Sequence, residues 1–593
     1  MLDVRTLISN GTLLFDGGMG TYYKANNGAD CEQANLADPE GILAVHREYI
    51  SAGAQAIKTN TFGLTRMAAA HAGSWQALAR AGWKLASEAA GDKAVVFADI
   101  GPAPDTEALP AADVYKALLK EFVALGADNF LFETLSSDAG VFEAVKWLRE
   151  KKPDAFVIVS FAMLPDGYTR EGMHYKELTK RMASSGLVDA VGLNCVAAPG
   201  AMRALAGHLS DVELPLSIMP NAGYPVVTRT HVSYQGKPGY FAREMAGIAA
   251  AGVKILGGCC GTTPAHIAAL SAELKGLPEQ KAVMSVPAVT AQPEKPAIQK
   301  DDAFLRKLNA GQKVIAVELD SPKNADLTGY IDSAKRIQAA GADLLTIADC
   351  PIARARMDSS LVACRVHREL GMCTLPHMTC RDRNLNATKA LLLGLYAEGV
   401  REVLAITGDP IPTAERDEVK NVYQFNSRKL AQYIVSLAGE GGDMPSPMTV
   451  FGALNLNARN FDVELRRAGE KLQNGMSGFL TQPVLSQRAV DNLALARRTL
   501  GSDAKILAGI MPVVSQRNAI FMENEVNGIH VDEQIIERFA GLDRAAGEEL
   551  GIEISVKAAK ACEPYADGFY LMTPFNRIAL MERLIARLKA EVM

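Results

Sequence analysis

Leu256-Gly257-Gly258-Cys259-Cys260-Gly261-Thr262-Thr263-Pro264 sets two adjacent cysteines among glycines at the end of a short apolar run. In a continuing strand neighbouring side chains point to opposite faces, so both thiols reach one point only if the backbone turns there. The flanking glycines permit that turn. A pair of small buried thiols is the alternative. A third cysteine closes a similar run, Val191-Gly192-Leu193-Asn194-Cys195. Cys195, Cys259 and Cys260 together suit a zinc ion with an open fourth position, the arrangement of a catalytic site.

Working outward, the apolar run before the cysteine pair is one copy of a recurring unit: a small or glycine-containing lead-in, a short apolar strand, then a polar residue. Ala52-Gly53-Ala54, Gly126-Ala127-Asp128 and Ala251-Gly252-Val253 are nearly the same lead-in. The first half predicts strands at Leu13 to Asp16, Ala56 to Asn60, Val95 to Asp99, Asn129 to Glu133, Val157 to Ser160, Ala190 to Cys195, Leu216 to Asn221 and Ile255 to Cys260. Helical periodicity lies between most of them. That alternation predicts an α/β fold, a (β/α)8 TIM-type barrel with its site at the C-terminal strand ends. Asp16, Asn60, Glu133, Asn194 and Asn221 fall there with the cysteines.

From about Lys275 to Asp302 prolines interrupt an aperiodic stretch, which reads as a linker over 275–302. The pattern then restarts. Strands are predicted at Val314 to Asp320, Leu344 to Asp349, Thr374 to Cys380, Glu402 to Thr407, Thr449 to Asn455, Gly478 to Gln482, Ile506 to Met511 and Gly568 to Met572. The chain is expected to be two barrels, 1–274 and 303–593, joined by this proline-containing linker. One barrel with one doubly wound sheet is the alternative, because periodicity does not show closure.

At 593 residues the chain is too long for one core. With 48% hydrophobic and 22% charged residues and a net charge of -5, it reads as a soluble globular protein without a bias toward polyanions. Nucleic acid and membrane are not expected partners. No signal-like or membrane-spanning run is read, and nine cysteines without a framework spacing predict a reducing, cytoplasmic setting. The oligomeric state is left open, a homo-oligomer included.

Zinc-bound thiolates with an open position suit a substrate that is itself a thiol, so the first half predicts alkyl transfer to sulfur. Asp16 and Glu133 are candidates to hold an ammonium group, with ordinary strand-end hydrogen bonding as the alternative. In this order Asp16-Gly17-Gly18-Met19-Gly20-Thr21, Thr59-Asn60-Thr61-Phe62-Gly63, Phe132-Glu133-Thr134, Gly192-Leu193-Asn194-Cys195, Pro220-Asn221-Ala222-Gly223 and Gly257-Gly258-Cys259-Cys260-Gly261 resemble the homocysteine-binding methyltransferase family. The resemblance implies Cys195, Cys259 and Cys260 as zinc ligands. It also implies Asp16, Gly17, Glu133 and Asn221 around homocysteine, whose sulfur takes the fourth position.

The second half offers acids and amides at its strand ends instead: Glu318, Asp320, Thr346, His377, Thr379, Asp409 and Gln482. Val317-Glu318-Leu319-Asp320-Ser321-Pro322, Pro376-His377-Met378-Thr379-Cys380, Ile406-Thr407-Gly408-Asp409-Pro410, Phe479-Leu480-Thr481-Gln482-Pro483 and Gly509-Ile510-Met511-Pro512-Val513 resemble methylenetetrahydrofolate reductase, a flavin-bearing barrel. The resemblance implies bound FAD and a methylenetetrahydrofolate substrate, with NAD(P)H as the expected reductant and a protein electron donor as the alternative. Glu318 would be the acid that opens the folate's bridging ring, Asp409 and Gln482 would lie against the pterin, and Thr346, His377, Thr407, Gly408, Ser427 and Lys471 would line the flavin site. Where that family has an aromatic Glu-Phe-Phe-Pro-Pro, this chain has Glu318-Leu319-Asp320-Ser321-Pro322. A non-catalytic folate- or flavin-binding regulatory barrel is therefore the alternative. The methyl donor is also left open between a sulfonium, the folate and a corrinoid on a separate protein.

Overall fold

The computed structural model describes residues 3–27, 31–70, 75–106, 109–227, 232–234, 236–276, 302–409, 420–438, 442–526 and 528–593. The chain divides into two compact units, Met1–Pro293 and Glu294–Met593. Nearly all of the expected linker lies outside the described residues.

Each unit is a (β/α)8 barrel of parallel strands in chain order. In the first, the strands are Leu13–Leu14, Ala56–Lys58, Val95–Ile100, Asn129–Leu135, Phe156–Met163, Ala190–Val196, Leu216–Met219 and Ile255–Leu256. Leu13 pairs with Ile255 in the eighth strand, and a parallel bridge from Phe15 to Ala56 joins the first strand to the second, so the cylinder closes. The second barrel closes through Val314–Asp320, Leu344–Ala348, Cys373–Thr379, Glu402–Ile406, Thr449–Leu454, Gly478–Pro483, Lys505–Ile510 and Gly568–Met572, with Glu318 in register with both Thr346 and Met572. The alternative of one open sheet is thereby set aside.

The lead-in glycines explain the repeat. Gly53, Gly126 and Gly252 have φ of 108°, 84° and 96°, left-handed positions that end a helix and turn the chain into the next strand. Two short helices were not among the expected elements. Val4–Asn10 is capped by Asp3 and Ala303–Asn309 by Asp302. Val4 and Ile8 pack with Leu13, Phe97, Phe156 and Ile255, and Phe304 and Leu308 pack with Val314, Phe451 and Leu507. Each helix fills the interior at the strand starts, which leaves the opposite ends for chemistry. A two-strand hairpin, Pro225–Val227 with Val232–Tyr234, also enters between the seventh and eighth strands of the first barrel.

Candidate functional site

The eighth strand of the first barrel stops at Leu256, four residues before its expected end, and the cysteine pair lies on the turn that follows. The turn is pinned from several strands. Gly258 N–H donates to Asp16 O at 3.0 Å, Cys259 N–H to Pro220 O at 2.8 Å and Ala222 N–H to Cys260 O at 3.0 Å. Thr262 Oγ1 donates to Cys259 O at 2.6 Å. Cys195 arrives from the sixth strand with φ of 56°, a conformation costly for a residue with a Cβ and characteristic of functional positions.

The result is one cluster. The sulfurs of Cys195, Cys259 and Cys260 lie within 4.8 Å of one another, and the Cys195 and Cys260 sulfurs are 3.8 Å apart. A tetrahedral zinc with bonds of ~2.3 Å has sulfur–sulfur edges of roughly 3.8 Å, so this donor set fits the ion. Hydrogen bonds from Cys195 and Cys259 pull the Cys260 thiol down, while its bonds to Cys195 and Cys260 push Cys259 up, so the three thiols are coupled to one another.

Beside the thiols, Asp16 and Glu133 are both buried and share a cation that sequence reasoning missed. Lys58 Nζ lies 3.7 Å from Asp16 Oδ1 and 3.8 Å from Glu133 Oε2, and donates to Gly258 O at 3.4 Å. Burial alone would lower the Lys58 pKa, but Glu133 and Asp16 outweigh it and hold the amine well above its ordinary value. Burial raises Asp16 to about 6 against the pull of Lys58. Asn194 Nδ2 donates to Glu133 Oε2 at 3.0 Å. A Cβ on Gly17 would sit 2.6 Å from Thr262 Oγ1, so only glycine fits there. Asn221 is buried with its Oδ1 unpartnered. The signal for Lys58 was present as a lysine inside Ala56-Ile57-Lys58, a charge at the inner end of an apolar strand.

In the second barrel Glu318 accepts a hydrogen bond from Tyr570 Oη, and His377 Nε2 is 3.6 Å from Glu318 Oε2. Burial pushes the Glu318 carboxyl up to about 7 and the His377 imidazole down to about 4. Tyr570 belongs to the barrel's apolar interior, which is why the sequence did not mark it. A polar cavity of about 500 Å³ opens beside the first strand's end, lined by Leu319, Asp320, Ser321, Lys323, Arg356 and Asn576 among others.

The remaining positions are spread around the same rim. Thr346 Oγ1 and His377 Nε2 are buried without hydrogen-bond partners, an arrangement that fits a polar ligand such as a flavin. Gly408 has φ of 92° and packs on Thr379, and Thr407 is exposed beside it. Asp409 O accepts from Arg381 Nη1 at 3.3 Å and from Tyr423 Oη at 3.2 Å. Gln482 is half-buried on the sixth strand, and Ser427 opens a helix capped by the Asn426 side chain. Lys471 is turned onto its own barrel, with Nζ donating to Ala453 O at 2.6 Å. Sequence reasoning also missed the buried support of Asp349, whose carboxylate accepts from Thr379 and Arg383.

Two parallel barrels, one bearing a thiol triad beside buried acids and the other a buried acid at its rim, define a pair of α/β-barrel domains of enzyme type. Residues 13–274 match the homocysteine S-methyltransferase family model and residues 303–589 match that of methylenetetrahydrofolate reductase. The chain is 29% identical over 308 residues to a methionine synthase of Mycobacterium tuberculosis, covering 46% of this chain and 26% of that protein. It is also 29% identical over 302 residues to homocysteine S-methyltransferase of Escherichia coli, covering 44% of this chain and 94% of that protein. The chain thus spans about a quarter of the length of the methionine synthase it matches. Among solved structures, the metallated form of a homocysteine methyltransferase from Escherichia coli aligns with 26% identity and a TM-score of 0.39, over 45% of this chain and 99% of that one.

Proposed function

We propose that the chain is a bifunctional enzyme: its first barrel methylates homocysteine to methionine, and its second reduces methylenetetrahydrofolate to methyltetrahydrofolate. The observation that carries the first activity is the convergence of three thiols beside buried carboxylates at the C-terminal strand ends. Cys195, Cys259 and Cys260 would hold zinc, which when bound lowers the pKa of a thiol substrate. Asp16 and Glu133 receive the substrate's ammonium, with Gly17 and Asn221 beside them. The homocysteine thiol releases its proton to solvent, its sulfur forms a bond to the methyl carbon, and the bond from that carbon to the donor breaks with its electron pair staying on the donor. The donor is a sulfonium, the folate or a corrinoid on a separate protein.

In the second barrel Glu318, raised to about 7, keeps its proton near neutral pH and gives it to the bridging nitrogen of the folate. Asp409 and Gln482 lie against the pterin. Thr346, His377, Thr407, Gly408, Ser427 and Lys471 line an FAD site, and the flavin, when bound, supplies hydride drawn from NAD(P)H. His377 is neutral there. All nine cysteines are free thiols, which suits a cytoplasmic setting, and no helix among the described residues is long and apolar enough to cross a membrane.

The experiment is spectroscopic. Purified protein is expected to carry about one FAD, bleached by NAD(P)H and reoxidised by methylenetetrahydrofolate, and about one zinc per chain. Colourless protein that binds folate without turnover would leave the second barrel a binding module.

A further inference from the structure

We propose that Lys58 is a positioning residue of the methyl-acceptor site: its ammonium leaves Asp16 and Glu133 able to take one further ammonium, and so selects an amino-acid thiol over a thiol without an amino group. This rests on the reading of the first barrel as a homocysteine site. Buried charges persist only when paired. Lys58 is 6% exposed, Asp16 1% and Glu133 5%. Lys58 Nζ bridges them at 3.7 and 3.8 Å, one cation set between two acids.

Other groups face Lys58. Burial raises the Asp99 carboxyl and the Tyr49 hydroxyl well above their ordinary ranges, and Cys259 belongs to the metal cluster. Asp16 Oδ1 lacks a hydrogen-bond donor, and a substrate ammonium would supply one. Burial raises the Asp16 carboxyl and Lys58 pulls it back, so without Lys58 it would rise above about 6 and hold its proton. An acceptor would then become a donor, and the ammonium would lose a partner.

The test uses the zinc-loaded full chain and calorimetric binding of L-homocysteine and of 4-mercaptobutanoate, which lacks only the amino group. Wild type is expected to prefer homocysteine. Lys58→Gln is expected to lose about tenfold of that preference, the scale of one charged hydrogen bond. Its zinc content and 4-mercaptobutanoate affinity should stay unchanged, and the loss should shrink as pH rises and the Asp16 proton leaves. Lys58→Arg, which keeps a cation, should retain the preference. An unchanged preference in Lys58→Gln, equal weakening of both thiols, or a lost preference in Lys58→Arg would overturn the role of Lys58 while leaving the acceptor site standing. A wild type that binds neither thiol would overturn the acceptor reading itself.

Discussion

In the proposed function, the chemistry of the second barrel turns on one proton of Glu318. Its pKa in the folded chain is about 7 against an ordinary 4.5, because burial disfavours the charge more than the Tyr570 hydrogen bond restores it. The proton is held below pH 7 and lost above it. Single-turnover reoxidation of reduced flavin by methylenetetrahydrofolate should therefore fall as pH rises through 7, by about tenfold per unit beyond it. The same shift gives a folding contribution that is fully present below 4.5 and lost as pH rises through 7. A profile flat from pH 6 to 9 would contradict the assignment. Glu318→Gln should remain yellow yet slow folate reduction by roughly 10²–10⁴-fold, the scale of a general acid. At this scale the sequence was informative where chemistry is unusual. Adjacent cysteines between glycines announce themselves, whereas Lys58 and Tyr570 gain roles only from partners on other strands, and no local pattern encodes those partners.

Strand ends, not strand bodies, aim the thiols. The turn after Leu256 presents Cys259 and Cys260 together because Gly258 packs against Thr262, whose hydroxyl also receives the Gly18 N–H at 3.0 Å. A Cβ on Gly258 would lie 2.3 Å from Thr262 Oγ1. Gly258→Ala should displace the turn and weaken zinc binding by about 10–100-fold, as loss of a ligand's supporting contacts does. A chelator competition would measure it, and an unchanged zinc affinity would show that the turn does not hold the ligands. The sixteen barrel strands could be read from apolar runs, many of them with small or glycine-containing lead-ins. Their last residues could not, since a strand end is set by where its neighbour stops pairing: the expected strand to Cys260 ends at Leu256. The two plugging helices escaped because seven residues, as in Val4–Asn10, carry too little periodicity to stand out.

For the whole molecule, the chain divides into two compact units, and the proposed function gives each its own chemistry. Removing zinc with a chelator should abolish methionine formation while leaving the flavin spectrum and folate reduction unchanged, and parallel loss of both would argue against independent sites. Closure of each barrel was beyond the sequence, because it depends on contacts such as Phe15 with Ala56 that join the first strand to the second around the ring. The proposed methyl transfer depends most on three cysteines holding a zinc whose fourth position takes the substrate's sulfur. Zinc-edge X-ray absorption of the full chain with selenohomocysteine tests it directly. The account predicts three sulfur neighbours and one selenium neighbour at the metal. A zinc with fewer than three sulfurs, or one whose shell gains no selenium, would contradict it.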